Sequence, residues 1–187
     1  SYLLNKYFPH QSHDTKIVIV ALPQLYEHKI LSKQDAFKSI SQLIKTFENT
    51  LDTKFLISLH PKMSREDYQP LLSDDSNCVL IDERLHDALP VGDAVLCAFE
   101  SIISWAILCE TQPVLLDYYN LGFNGALYKS CITLKDPDAL ASDLNDILKS
   151  PKNGLILQEK QELLPFDGHS RHRIKEIFCK MIDTHHE

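Results

Sequence analysis

Three features of this 187-residue sequence predict an α/β fold with a doubly wound, mostly parallel sheet of about six strands and a C-terminal helix. Short apolar runs rich in β-branched residues alternate with segments of helical periodicity from residue 16 to 150. The first of them, Lys16 to Leu22 ("KIVIVAL"), is apolar almost without interruption, as a strand covered on both faces must be. The early runs end in polar or turn-forming residues, and a helix start follows the first two.

After that first strand, Ala36, Phe37, Ile40, Leu43, Ile44, Phe47 and Leu51 recur at helical spacing behind the cap candidates Ser32 and Asp35. Strand two is Phe55 to Leu59. Ser64, with Asp67 three residues later, reads as a capping-box start for a helix from about Arg65 to Leu72. "CVLI" (78–81) is strand three, Leu85 to Leu89 a short helical turn, and "AVLCAF" (94–99) strand four. The next helix begins near Ser101 and ends before "TQP"; "PVLLD" (113–117) and "CITL" (131–134) follow as strands five and six. In "DPDALASDLNDILKS", Asp136 is the N-cap, Pro137 the first helical residue, and Leu140, Leu144, Ile147 and Leu148 the buried face. Residues 151–168 read as a loop. Ile174, Ile177, Phe178, Met181 and Ile182 form the stripe of a last helix over about 171–183. The chain thus divides into an N-terminal extension or linker (1–15), a sheet domain (16–150), and a loop with a C-terminal helix (151–187).

Composition narrows the function. At 44 % hydrophobic and 24 % charged the chain is an ordinary globular domain. A net charge of −7, with no basic run, argues against nucleic-acid or anionic-membrane surfaces. The apolar stretch Ala94 to Ile107 is too short and too polar for a bilayer span. No secretory signal opens the chain, and it begins Ser-Tyr rather than Met, as a piece of something longer would. Cysteines 78, 97, 109, 131 and 179 are an odd set without close spacing; Cys78, Cys97 and Cys131 read as small core residues in a reduced, cytoplasmic setting.

In a parallel sheet the loops after strands one to five gather at one edge, where such folds bind their ligands. They carry Pro23-Gln24 with Glu27 and His28; His60, Pro61 and Lys62; Asp82, Glu83 and Arg84; Glu100, Ser101 and Ser104; and Asp117, Tyr118 and Tyr119. Pro61 biases His60 towards an extended backbone, which aims the imidazole, and Lys62 stands behind it; together they can donate to a phosphate oxygen. Pro61 could equally just end the strand. Ser101 and Ser104, with the free N–H groups of a first helical turn, form an anion cradle, or simply cap the helix. Glu100 could accept from sugar hydroxyls or complement the helix dipole. Glu27 and His28 could supply a base or a substrate contact, or belong to an exposed loop. No Walker loop, dinucleotide fingerprint or serine elbow is present, and "HSRHR" (169–173) has no further ligand to complete a metal set.

The order of these features (strand, helix, strand ending His60-Pro61, strand, "LHDALPVGDAVL", the serine-bearing helix start, then "TQPVLLD") resembles the C-terminal domain of GT-B glycosyltransferases. It is similar above all to the bacterial His-Pro-motif capsule and lipopolysaccharide enzymes, the sialyl-, Kdo- and polyol-phosphate transferases. The resemblance implies a Rossmann-like nucleotide-sugar-binding domain over 16–150 and a crossover helix in 151–187. It implies that His60 and Pro61, with Ser101 and Ser104, hold the donor phosphate, that Asp82 to Leu89, with Asp82 and Glu83, frames the base, and that Glu100 lies near the ribose or donor sugar. Where many members carry a glycine pair this chain has Phe99-Glu100, which argues against a standard UDP-sugar site, and the His-Pro and serine pair fits a CMP-sugar somewhat better. The implied protein is a metal-independent glycosyltransferase of surface polysaccharide synthesis. Its catalytic residues are unassigned, with Glu100, His28 and Glu27 as weak candidates. Its partner is an N-terminal acceptor-binding domain or subunit, which could bring it near a membrane; without that half it binds nucleotide but does not transfer sugar. Two alternatives stand beside this: half of a UDP-GlcNAc 2-epimerase or hydrolase, and a non-catalytic interaction module with a vestigial site.

Overall fold

The computed structural model describes residues 2–9, 12, 14–73, 76–99, 101–119, 121–122, 127–150, 154–163 and 175. β-Branched apolar runs become six strands: β1 (Lys16–Ala21), β2 (Thr53–Ser58), β3 (Cys78–Leu80), β4 (Ala94–Cys97), β5 (Gln112–Leu116) and β6 (Ile132–Leu134). They form one sheet in the order β3-β2-β1-β4-β5-β6, every neighbouring pair parallel. The chain therefore winds outwards from β1 in one direction and from β4 in the other, and the strand order reverses between these two.

Alternation along each strand sends side chains to opposite faces. Val18, Val20, Phe55, Ile57, Leu96, Val114 and Leu116 pack with α2 (Lys33–Glu48) and α6 (Leu140–Lys149). On the other face Ile17, Ile19, Leu56 and Val95 pack with α1 (Tyr2–Tyr7), α4 (Leu85–Ala88) and α5 (Ser101–Leu108). Cys97 and Leu115 join Ile103, Ile107 and Ile156 of α7 (Gly154–Leu163) on that side. The close approach before β4 requires glycine: a Cβ on Gly92 would stand 2.7 Å from Ile19 Cγ1. Burial pushes the Cys78 and Cys97 thiols up to about 12 and that of Cys131 to about 11, so all three stay protonated. No described helix is long and apolar enough to cross a membrane.

Several local expectations change. Within the stretch 1–15, read as an N-terminal extension or linker, lies α1, whose Leu3 is buried in the core on one face of the sheet. Ser64 caps nothing: its hydroxyl bonds the Glu66 carboxylate, and α3 (Arg65–Tyr68) passes at once into a 3-10 turn, Gln69–Leu71, containing Pro70. The helix after β6 starts at Leu140, not Pro137, because Asp136 spends its carboxylate on the Asp138 N–H, 3.0 Å away, in a preceding turn. Within the expected loop 151–168 lies α7. Ser32 does cap α2, accepting from the Asp35 N–H at 3.1 Å and donating to the Asp35 carboxylate at 2.6 Å. The expected helix over 171–183 lies outside the described residues apart from Lys175.

Candidate functional site

The carboxyl ends of β2, β1 and β4 lie side by side, so three successive loops share the middle of one sheet edge. The loop after β2 is a tight turn: the Met63 N–H donates to the His60 carbonyl at 2.8 Å, with Pro61 at the second position. The Lys62 N–H donates to His60 Nδ1 at 3.2 Å. That bond makes Nδ1 an acceptor, so a neutral ring carries its proton on Nε2 and presents a donor beyond the turn. His60, Pro61 and Lys62 are all exposed. The bond that orients the imidazole thus comes from the Lys62 backbone N–H.

The loop after β1 is held from inside by Leu25, which is fully buried and whose carbonyl accepts from the Ile30 and Leu31 N–H groups at 2.8 and 3.1 Å. Lys29, at φ 59°, turns the chain back towards α2. Glu27 accepts from the Tyr68 hydroxyl at 2.8 Å, which ties this loop to α3. Tyr68 is itself buried and stacked on Phe37 at 5.0 Å. On the other side the His28 ring meets Phe99, after β4, edge-on at 5.5 Å. Among the described residues, three buried side-chain atoms have no partner, and two of them, Gln24 Oε1 and Glu27 Oε2, belong to this loop.

After β4, Ser101 is exposed at the start of α5, and Ser104 donates back to the Ser101 carbonyl at 3.3 Å. Glu100 lies outside the described residues. The strands leading to His60 and Ser101 flank β1, about 10 Å apart at ordinary strand spacing. The two groups thus share an edge with Glu27 and His28 between them, and are not immediate neighbours.

After β3 the pattern differs. Glu83 accepts from Lys6 Nζ at 2.8 Å and the Tyr7 hydroxyl at 2.7 Å, and the Asp82 N–H donates to Tyr7 at 2.9 Å. The Asp82 carboxylate pairs with Arg65 at 2.7 Å. Both acidic groups are engaged by α1 and α3. Desolvation opposes ionisation of Glu83, but the bonds from Lys6 and Tyr7 outweigh it and hold the carboxyl down to about 2. Since the fold lowers this group from its usual 4.5, its contribution to stability is complete above about 4.5 and is lost as the pH falls towards 2. We expect the melting temperature to drop through that window as α1 loosens, and Glu83→Gln to flatten that part of the profile; an unchanged profile would show that the contact contributes nothing.

Sequence reasoning missed Tyr68 and Arg65 as partners of this edge. Their only signal was one aromatic and one cation in a short polar helix. Among the described residues, no group of three or more His, Cys, Asp or Glu is placed to hold a metal ion.

The sequence matches no protein-family model, and no curated protein matches it. Solved structures do share the fold. The spinosyn rhamnosyltransferase SpnG, complexed with thymidine diphosphate, superposes with a TM-score of 0.60 at 14 % identity, covering 83 % of this chain and 43 % of that one. CalG4, the calicheamicin glycosyltransferase, gives 0.60 at 10 % identity over 80 % of this chain and 38 % of its own. The kitacinnamycin glycosyltransferase gives 0.55 at 12 %, over 82 % and 40 %. This chain spans about two-fifths of the length of these enzymes. At such identities the likeness establishes the fold: a six-stranded parallel, Rossmann-like α/β sheet, as in one half of a GT-B glycosyltransferase.

Proposed function

We propose that this chain is the donor-binding half of a glycosyltransferase of bacterial surface polysaccharide synthesis, taking a CMP- or UDP-linked sugar. The observation that carries this is the turn at His60. Its Nδ1 is occupied by the Lys62 backbone N–H, so Nε2 is left as the ring's donor on the loop at the carboxyl end of β2, with the exposed Lys62 in the same turn. The phosphate moiety of the donor, one group in a CMP-sugar or two in a UDP-sugar, lies at the edge between His60 with Lys62 and Ser101 with Ser104, where the first turn of α5 adds N–H groups. The spacing across β1 suits an extended nucleotide ligand better than a single small anion. The solved complex of SpnG with thymidine diphosphate supports a pyrimidine nucleotide.

Bound cations and N–H donors stabilise charge on the departing phosphate, which is what donor activation requires of this half. The acceptor and the group that deprotonates it come from a second domain or subunit, whose own location could bring this one near a membrane. A single sheet edge open to water can neither exclude hydrolysis nor align two substrates, so this half alone binds without transferring. No metal is required in this scheme.

Thermal shift with CMP, UDP and thymidine diphosphate tests it. At a hundredfold excess over the dissociation constant a ligand stabilises by about 2.7 kcal/mol, which raises the melting temperature of a chain this size by about 5–10 °C. His60→Ala should abolish the rise while leaving the unliganded melting temperature unchanged, since the side chain is exposed. No rise with any of the three overturns the proposal.

A further inference from the structure

We propose, resting on the donor-site reading above, that α1 is an autoinhibitory strap whose Tyr7 hydroxyl sits where the base of the donor nucleotide binds. One atom of Tyr7 makes two bonds to the loop after β3. It accepts from the Asp82 N–H at 2.9 Å and donates to the Glu83 carboxylate at 2.7 Å. A backbone N–H beside a carboxylate is the complement of a nucleobase edge, where an accepting nitrogen or carbonyl oxygen adjoins a donating N–H. Cytosine offers that pair as N3 and its exocyclic amine, and uracil as a carbonyl oxygen and N3–H. The Tyr7 hydroxyl, donor and acceptor in one group, imitates both halves.

The loop also stands where such a base has room to lie. β3 pairs with β2, so the loop after it is one strand spacing, about 5 Å, along the edge from the turn of His60 and Lys62. A nucleotide whose phosphate lies between His60 and Ser101 extends its other end towards β3. The recognising groups are fixed without α1. Arg65 donates to the Asp82 carboxylate at 2.7 Å and to the Leu80 carbonyl at 2.8 Å, and the Ile81 N–H donates to the Ile57 carbonyl at 2.9 Å. They therefore keep their direction when Tyr7 leaves. The strap itself is lightly held. Leu3 is the buried residue of α1, and the Lys6 ammonium reaches Glu83 at 2.8 Å from an exposed position, where ion pairs are weak. Base and hydroxyl compete for the same two partners, so each weakens the other's hold by the same factor.

Titration of the full chain with CMP, UDP and ribose 5-phosphate tests this, the last carrying phosphate and sugar without a base. Proteins are wild type, Tyr7→Phe, and Tyr7→Phe combined with Glu83→Ala. One hydrogen bond to a charged group keeps the strap seated about nine-tenths of the time, which lowers apparent affinity about tenfold. Tyr7→Phe should therefore bind CMP or UDP about tenfold more tightly than wild type, with ribose 5-phosphate unchanged. Adding Glu83→Ala should remove the gain. In wild type, which needs no variant to fold, saturation with the preferred nucleotide should shift the NMR signals of the Asp82 amide and the Tyr7 ring. Ribose 5-phosphate should leave both in place. Equal or weaker nucleotide binding by Tyr7→Phe, a gain shared by ribose 5-phosphate, or Tyr7 signals that ignore the nucleotide overturn the strap while nucleotide binding stands. A chain that binds neither nucleotide, with or without the Tyr7 hydroxyl, overturns the donor-site reading and the strap together.

Discussion

Phe47→Ala should lower the stability of this chain by about 3–5 kcal/mol, the cost of removing a large aromatic group from a close-packed core. Phe47 lies on the inner face of α2 with no exposed surface and stacks on Phe55 of β2, their centroids 4.5 Å apart at 16°. Its loss opens a cavity between α2, the longest of the described helices, and a strand next to the centre of the sheet. The backbone there is fixed as well, since the Asn77 side chain donates to the carbonyls of Phe47, Thr50 and Thr53 at 2.9–3.0 Å. Domains have about 5–15 kcal/mol of total stability, so this change brings the chain close to unfolding at room temperature. Denaturant unfolding measures it directly. A loss under about 1 kcal/mol would mean that α2 does not pack on β2 as described.

Glu159→Ala should cost about 3 kcal/mol or more, because it leaves buried donors without an acceptor. Glu159, on α7, is only 7 % exposed and accepts from the backbone N–H of Lys129 and from both the N–H (3.1 Å) and the hydroxyl of Ser130. These donors lie just before β6, so one carboxylate fastens α7 to the outer edge of the sheet. Ile156 adds an apolar contact one turn earlier, against Ile103, Ile107 and Leu115. The isosteric Glu159→Gln should lose less, since its amide oxygen still accepts. If alanine and glutamine behave alike and both are mild, the latch is not what holds α7. Hydrogen exchange at Lys129 and Ser130 provides a second measure: both amides should lose protection in the alanine variant.

Much of the architecture was legible because it depends on near-neighbour patterns. "KIVIVAL" could be read as a doubly covered strand from its own residues, and the helix behind Ser32 from its spacing and its cap. The strand-helix alternation then required a parallel sheet with its loops at one edge. Limits appeared where a local signal had a competitor. Ser64 had a carboxylate nearer than the one at the capping-box position, and Asp136 had a backbone N–H two residues away. The α7 segment was hidden for another reason. Its apolar residues Leu155, Ile156 and Leu157 are contiguous and give no helical stripe, and the partner that buries Glu159 lies 29 residues away along the chain.

The site divides in the same way. His60-Pro61-Lys62 could be picked out because its geometry is a four-residue matter, settled by one turn and one imidazole. Asp82 and Glu83 looked equally available in the sequence, yet the fold commits them to Lys6, Tyr7 and Arg65, contacts that span up to 77 residues. Gln24 and Glu27 stood among the polar residues of the first loop, but their burial, and the lack of partners for two of their oxygens, depend on how Leu25 and Tyr68 pack. The sequence by itself determined the periodicities, the caps and the order of elements, since these arise from atoms a few residues apart. Only the tertiary structure decided which polar groups are paired and which are left open, because desolvation and long-range hydrogen bonds exist only once distant segments have been brought together.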